Sequence, residues 1–113
     1  MGNKYTESIM PTEKGTCYIC GGNGGRERHH CLHGTANRDV AEKEGLWVWL
    51  CHECHRTGKW SVHKCKSTDI MLERDAQSLW EMKYVIKNDS TPEEARMAFM
   101  NLFGKSYIWE DSE

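Results

Sequence analysis

Two Cys-x2-Cys pairs, Cys17/Cys20 and Cys51/Cys54, constrain this chain more than any other feature. Two residues between thiolates let a tight turn bring both sulfurs onto one metal ion at about 2.3 Å. Gly21-Gly22 after the first pair allows the backbone to turn beneath such an ion. Four thiolates are the full tetrahedral complement of a structural site, so the spacing predicts one Zn²⁺ held by Cys17, Cys20, Cys51 and Cys54. The competing reading of six cysteines is a secreted disulfide framework. Residues 1–16 are polar and lack the apolar stretch of a signal peptide, which argues against it. Cys31 and Cys65 are left over and read as small buried hydrophobes.

A chain of 113 residues suits one small domain. Its longest apolar run, Leu46 to Leu50, is far short of the roughly 20 residues of a membrane span, so no membrane partner is expected. The expectation is a soluble protein of the cytoplasm. The net charge of −2 conceals a division. Residues 14–66 carry nine Lys or Arg against five Asp or Glu, and residues 67–113 carry five against ten. All six His and all six Cys fall in the basic segment, which can face an anion.

Four stretches separate along the chain. Residues 1–16 show no sustained period and read as a flexible leader, and residues 17–66 form the metal-rich module. Within the module, Leu46–Leu50 reads as a short strand, Arg26–Cys31 as a second, and Cys51–Trp60 as a short helix stopping near Gly58. Leu72, Ala76, Leu79, Met82 and Ile86 recur at helical spacing over 67–87. Residues 92–103 form the clearest helix, with Thr91 as N-cap, Pro92 in the first position, Glu94 completing a capping box and Gly104 ending it. The apolar face of that helix is Ala95, Ala98, Phe99, Leu102 and Phe103. The fold class is therefore α+β: a small zinc-stapled finger followed by a helical extension, 67–113, that packs on it. A module of about 50 residues has too little apolar surface alone. Trp80, Tyr84, Phe99 and Phe103 would supply a core, with Met71, Met82, Met97 and Met100 as gap fillers.

The chemistry must lie around the thiolates. His29-His30 stands between the two pairs, and His55 follows the second. Imidazole is both a neutral metal ligand and a general base near pH 7. If the four Cys take one zinc, these three histidines are released for other duty. The zinc fastens both ends of the segment, so they can converge on a second metal site with a base beside it. His63 is a third ligand or a phosphate contact, whereas His33 and His52 read as surface residues.

Cys17-x2-Cys20, His29-His30 and Leu50-Cys51-x2-Cys54-His55, in that order, resemble the zinc-stapled branch of the HNH nucleases with their ββα-metal, treble-clef-like finger. The resemblance covers residues 17 to about 63. Arg28-His29-His30, Gly34, Asn37-Arg38, Gly45-Leu46 and Val62-His63 also look like small HNH-type proteins of bacteriophages and prophages of Gram-positive bacteria, as does the ending Phe103 to Ile108.

The resemblance implies a DNA endonuclease working in a bacterial host cytoplasm. It makes His29 and His55 ligands of one catalytic divalent cation (Mn²⁺, Ni²⁺, Co²⁺ or Mg²⁺), with His63 as a further ligand. His30 becomes the general base that deprotonates water. Neighbours on a strand end diverge, so His29 can face the metal while His30 faces the water. The family's middle Asn lies closer to the second Cys pair than Asn37 does. Asn37 either orients His30 from a longer loop or is only a turn residue. Arg26, Arg28, Arg38, Arg56, Lys59 and Lys64 suit DNA phosphates. The alternative is a non-catalytic zinc module that binds DNA or a protein partner. No sequence signal bears on oligomeric state.

Overall fold

The computed structural model describes residues 6–108. The chain is a small α+β domain in the order β1 (Glu27–His30), α1 (Thr35–Glu44), β2 (Trp47–Leu50), a single wide π turn (Glu53–Thr57), α2 (Lys66–Asn88) and α3 (Pro92–Phe103). Among the described residues, no helix is long and apolar enough to cross a membrane.

β1 and β2 pair antiparallel, with Glu27 opposite Leu50, His29 opposite Val48 and His30 opposite Trp47. Both strands were expected within a residue or two. The helix between them was not. Among the described side chains of Thr35–Glu44, only Ala41 is buried, so the segment carries almost no apolar period to read. Its termini are marked instead by Gly34 and Gly45, at φ 96° and 75°.

Gly45 serves two purposes. It ends α1 in the left-handed region, and a Cβ placed on it would stand 2.5 Å from the Glu7 carbonyl oxygen. Residues 6–16 run across the module at this point. Ile9 donates its amide to Gly45 O (2.8 Å), Trp47 Nε1 donates to Thr6 O (2.8 Å), and Trp49 donates its amide to Thr12 Oγ1 (2.9 Å). Met10 is buried in the core. The leader is therefore not free over 6–16, because its polar backbone finds partners along β2; residues 1–5 lie outside the described residues. Gly45→Ala should lower stability by about 1–2 kcal/mol from the left-handed backbone alone, and further by displacing this strap. Urea unfolding would measure it, and a midpoint equal to wild type would contradict the close approach.

One hydrophobic core joins finger and helices: Cys31, Leu32, Leu46, Val48 and Leu50 meet Leu72, Ala76, Phe99, Phe103 and Tyr107. Trp80 stacks on Tyr84 at 5.2 Å and meets Phe99 edge-on at 5.6 Å. The α3 capping box is present, with Glu94 N donating to Thr91 Oγ1 and Thr91 N to Glu94 Oε1. Its buried stripe is narrower than expected: Ala95, Phe99 and Phe103, with Leu102 exposed. In α2, Met82 and Ile86 project into solvent because the helix runs on beyond the finger. The methionines read as gap fillers, Met71, Met82, Met97 and Met100, are all exposed. Among the described methionines, Met10 is the one that fills the core, its sulfur 3.5 Å from Cys31 Sγ.

Candidate functional site

The four cysteines of the two pairs converge, with sulfurs all within 4.8 Å of one another and Cys20 Sγ 3.9 Å from Cys51 Sγ. Four sulfurs at about 2.3 Å on a tetrahedral ion stand about 3.8 Å apart, so the set is close to zinc geometry. Each pair forms a knuckle. Cys20 N and Cys54 N donate back to Cys17 Sγ (3.4 Å) and Cys51 Sγ (3.3 Å), and Gly22 N donates to Cys20 Sγ (3.4 Å). Gly21, at φ 76°, makes the first turn possible. Burial opposes ionisation of Cys17, but the amides of Cys20, Cys51 and Ile19 bring its pKa down to about 6, in favour of thiolate. Of the two remaining thiols, Cys31 is buried as expected. Cys65 is only half-buried, at the position before the first turn of α2, with its thiol 3.4 Å from Ser67 Oγ.

The second cluster is built from imidazoles. Side chains alternate along β1, so Glu27 and His29 face one way and Arg28 and His30 the other. The π turn after the second knuckle carries His55 beneath the hairpin. The chain then returns so that Val62 N donates to Cys54 O (2.9 Å) and His63 N to His55 O (3.4 Å). His29, His55 and His63 thereby offer donor atoms within 4.8 Å of one another, with ring centroids 4.8–5.6 Å apart. His29 is only 4% exposed, and its Nε2 is buried without a hydrogen-bond partner. A buried polar nitrogen left in that state is costly, and a cation among the three rings would satisfy it.

Glu27 fixes the orientation of His55, with Oε1 2.7 Å from Nδ1, which leaves Nε2 available as a ligand. A carboxylate behind an imidazole in this way is the usual support of a metal-binding histidine. His52 holds the other Glu27 oxygen at 2.8 Å and is exposed. Glu27 escaped sequence reading because its role depends on the strand face it shares with His29.

Burial, followed by repulsion from His55, His33 and His63, lowers the His29 pKa to about 3. His63 is lowered for similar reasons: burial first, then His55 and Arg56. Neutral rings keep a lone pair for metal. They also set a pH dependence. The unfolded chain takes a proton on His29 near its ordinary value of 6.5, and the folded chain only near 3. Acid through that window therefore favours unfolding, by on the order of a few kcal/mol when no metal competes. Urea midpoints of protein carrying only its structural zinc, with no further metal added, should differ less between pH 7 and pH 5 in His29→Gln than in wild type. An unchanged difference would contradict the buried, neutral ring.

On the opposite face of β1, His30 Nε2 lies 2.8 Å from Glu42 Oε1 of α1. Arg28 pairs with the same carboxylate and packs over the Trp47 ring at 4.1 Å. Burial opposes ionisation of Glu42, but hydrogen bonds from Arg28 and His30 keep its pKa below the ordinary carboxylate value. Glu42 was missed because α1 was missed. Five histidines (29, 30, 33, 55 and 63) with Arg28, Arg38 and Arg56 wall one cleft of about 200 Å³. Asn37 does not line it. Its side chain lies instead near the Tyr107 hydroxyl, whose pKa it helps to lower against burial. Glu42, not Asn37, holds His30.

Of the six cations expected to meet DNA, Arg38 and Arg56 are exposed at the cleft, whereas Arg28 is engaged inside the fold. Arg26, Lys59 and Lys64 lie on the surface outside it, Lys59 over Trp60 and Lys64 donating to Thr57 O. His33 is exposed, as expected of a surface residue, and also pairs with Asp69 beside His29. No family model, curated protein or solved structure matches this chain.

Proposed function

We propose that this chain is a metal-dependent DNA endonuclease of the HNH type, hydrolysing phosphodiester bonds, with a structural Zn²⁺ on Cys17, Cys20, Cys51 and Cys54. The observation that carries the reading is the split of His29 and His30 across β1. One imidazole joins a cluster of three with an unpartnered buried nitrogen, and the other is backed by a carboxylate at the same cleft.

A divalent cation held by His29, His55 and His63 would neutralise charge on the phosphate and on the leaving 3′ oxygen. His30 is held through Nε2 by Glu42, which leaves Nδ1 to take the proton of an attacking water. Ionised Glu42 stabilises the imidazolium that results, as a buried carboxylate does for other catalytic histidines. Arg38 and Arg56 at the cleft would hold the flanking phosphates.

Supercoiled plasmid incubated with a panel of cations tests the reading. Wild type should nick or linearise it, and His29→Ala should not. Imidazole ligands favour borderline ions over Mg²⁺, so Mn²⁺ should support faster cleavage than Mg²⁺ at equal concentration. Equal or reversed rates would mean that oxygen ligands dominate. Asn37 lies outside the lining of the cleft, which favours a second reading, a non-catalytic zinc module that binds DNA or protein. DNA binding with no cleavage under any cation would establish that one instead.

A further inference from the structure

The helical extension enters the histidine cluster at one point. Asp69, in the first turn of α2, is 9% exposed, and its Oδ1 lies 2.6 Å from His33 Nε2. His33 sits between β1 and α1, its ring centroid 5.5 Å from that of His29. Donor atoms of His29, His33 and Asp69 all lie within 4.8 Å of one another, as do those of His29, His55 and His63. His29, with its unpartnered buried Nε2, therefore belongs to two groups at once.

An ion pair pinning α2 to the finger would explain part of this arrangement. It does nothing for the His29 nitrogen, which stays buried without a partner. A cation seated between Asp69 and His29 would satisfy it.

We infer that His29, His33 and Asp69 form a second seat for a divalent cation, beside that of His29, His55 and His63, and that Asp69 sets which metals the centre accepts. A neutral imidazole has one lone pair to give, so His29 serves one ion at a time and the two seats are alternatives. The all-imidazole seat suits Ni²⁺ and Co²⁺, and the seat with a carboxylate suits the harder Mn²⁺. Binding in the second seat displaces the proton shared by His33 and Asp69 into solvent. The inference rests on the proposed function only in taking His29 as a metal ligand, and it does not require DNA cleavage.

Calorimetric titration of the full, zinc-loaded chain with Mn²⁺ and with Ni²⁺ tests it in wild type, Asp69→Asn and His63→Ala. Asp69→Asn should weaken Mn²⁺ binding about tenfold or more and Ni²⁺ binding less than about threefold. His63→Ala should show the reverse order. Mn²⁺ affinity within about twofold of wild type in Asp69→Asn, or equal losses for both ions, would overturn the second seat. If Asp69→Asn does not fold, His33→Ala removes the seat at a half-exposed side chain and must give the same Mn²⁺-selective loss. A chain with this metal pattern that cuts no DNA upholds the seat and ends the nuclease reading. A chain that cuts DNA but loses both metals equally ends the seat alone.

Discussion

His30→Ala should reduce DNA cleavage by about 10²–10⁴-fold, the usual contribution of a positioned general base. DNA affinity and the affinity for a catalytic cation should scarcely change. The reason lies in the strand. His30 is bonded to Glu42 and belongs to neither group of candidate metal ligands, so removing it takes no donor from the cluster. A single imidazole contributes little to phosphate binding compared with Arg38 or Arg56. Single-turnover cleavage, fluorescence anisotropy with labelled duplex and metal titration separate the three quantities. A fall in metal affinity that matched the fall in rate would make His30 a ligand and leave the base unidentified. Glu42→Gln should give a smaller loss in rate, because the amide can still hold the ring but stabilises its cation less.

Removal of the structural metal should have the largest effect on the fold. Binding of structural zinc is worth about 10–16 kcal/mol in small finger peptides, comparable with or above the whole stability of an ordinary domain. Here the two knuckles fasten both flanks of the hairpin, and Cys17 itself belongs to the core that meets α2 and α3. Strong chelation, or Cys17→Ser, should therefore unfold the finger and loosen the helices packed on it. Circular dichroism during chelation, with elemental analysis of the purified chain, measures this. One zinc per chain is expected, and a zinc-free chain with an unaltered melting curve would refute the assignment.

Sequence reading located what depends on local pattern. The knuckle spacing and Thr91-Pro92-Glu93-Glu94 each encode their geometry within four residues, and the structure has both. It failed where geometry comes from packing. Helix α1 has little apolar signal, and with it went Glu42 as the partner of His30 and the placement of Asn37 away from the cleft. The strap 6–16 lacks any period because it is held by its backbone along β2. The pairing of His33 with Asp69 joins positions far apart in sequence through the seating of α2, which no local pattern records.

The alternation that parts His29 from His30 also limits how the chain can change in length. A slip of β1 by one position would carry His30 into the place of His29 and leave Cys31, in place of an imidazole, opposite Glu42. The frame is locked just upstream, where Gly25 lies so close to Thr16 that a Cβ would overlap its carbonyl, and Gly15 N donates to Gly25 O at 2.7 Å. Single-residue insertions or deletions between Gly25 and His30 should therefore end activity even where the chain still folds.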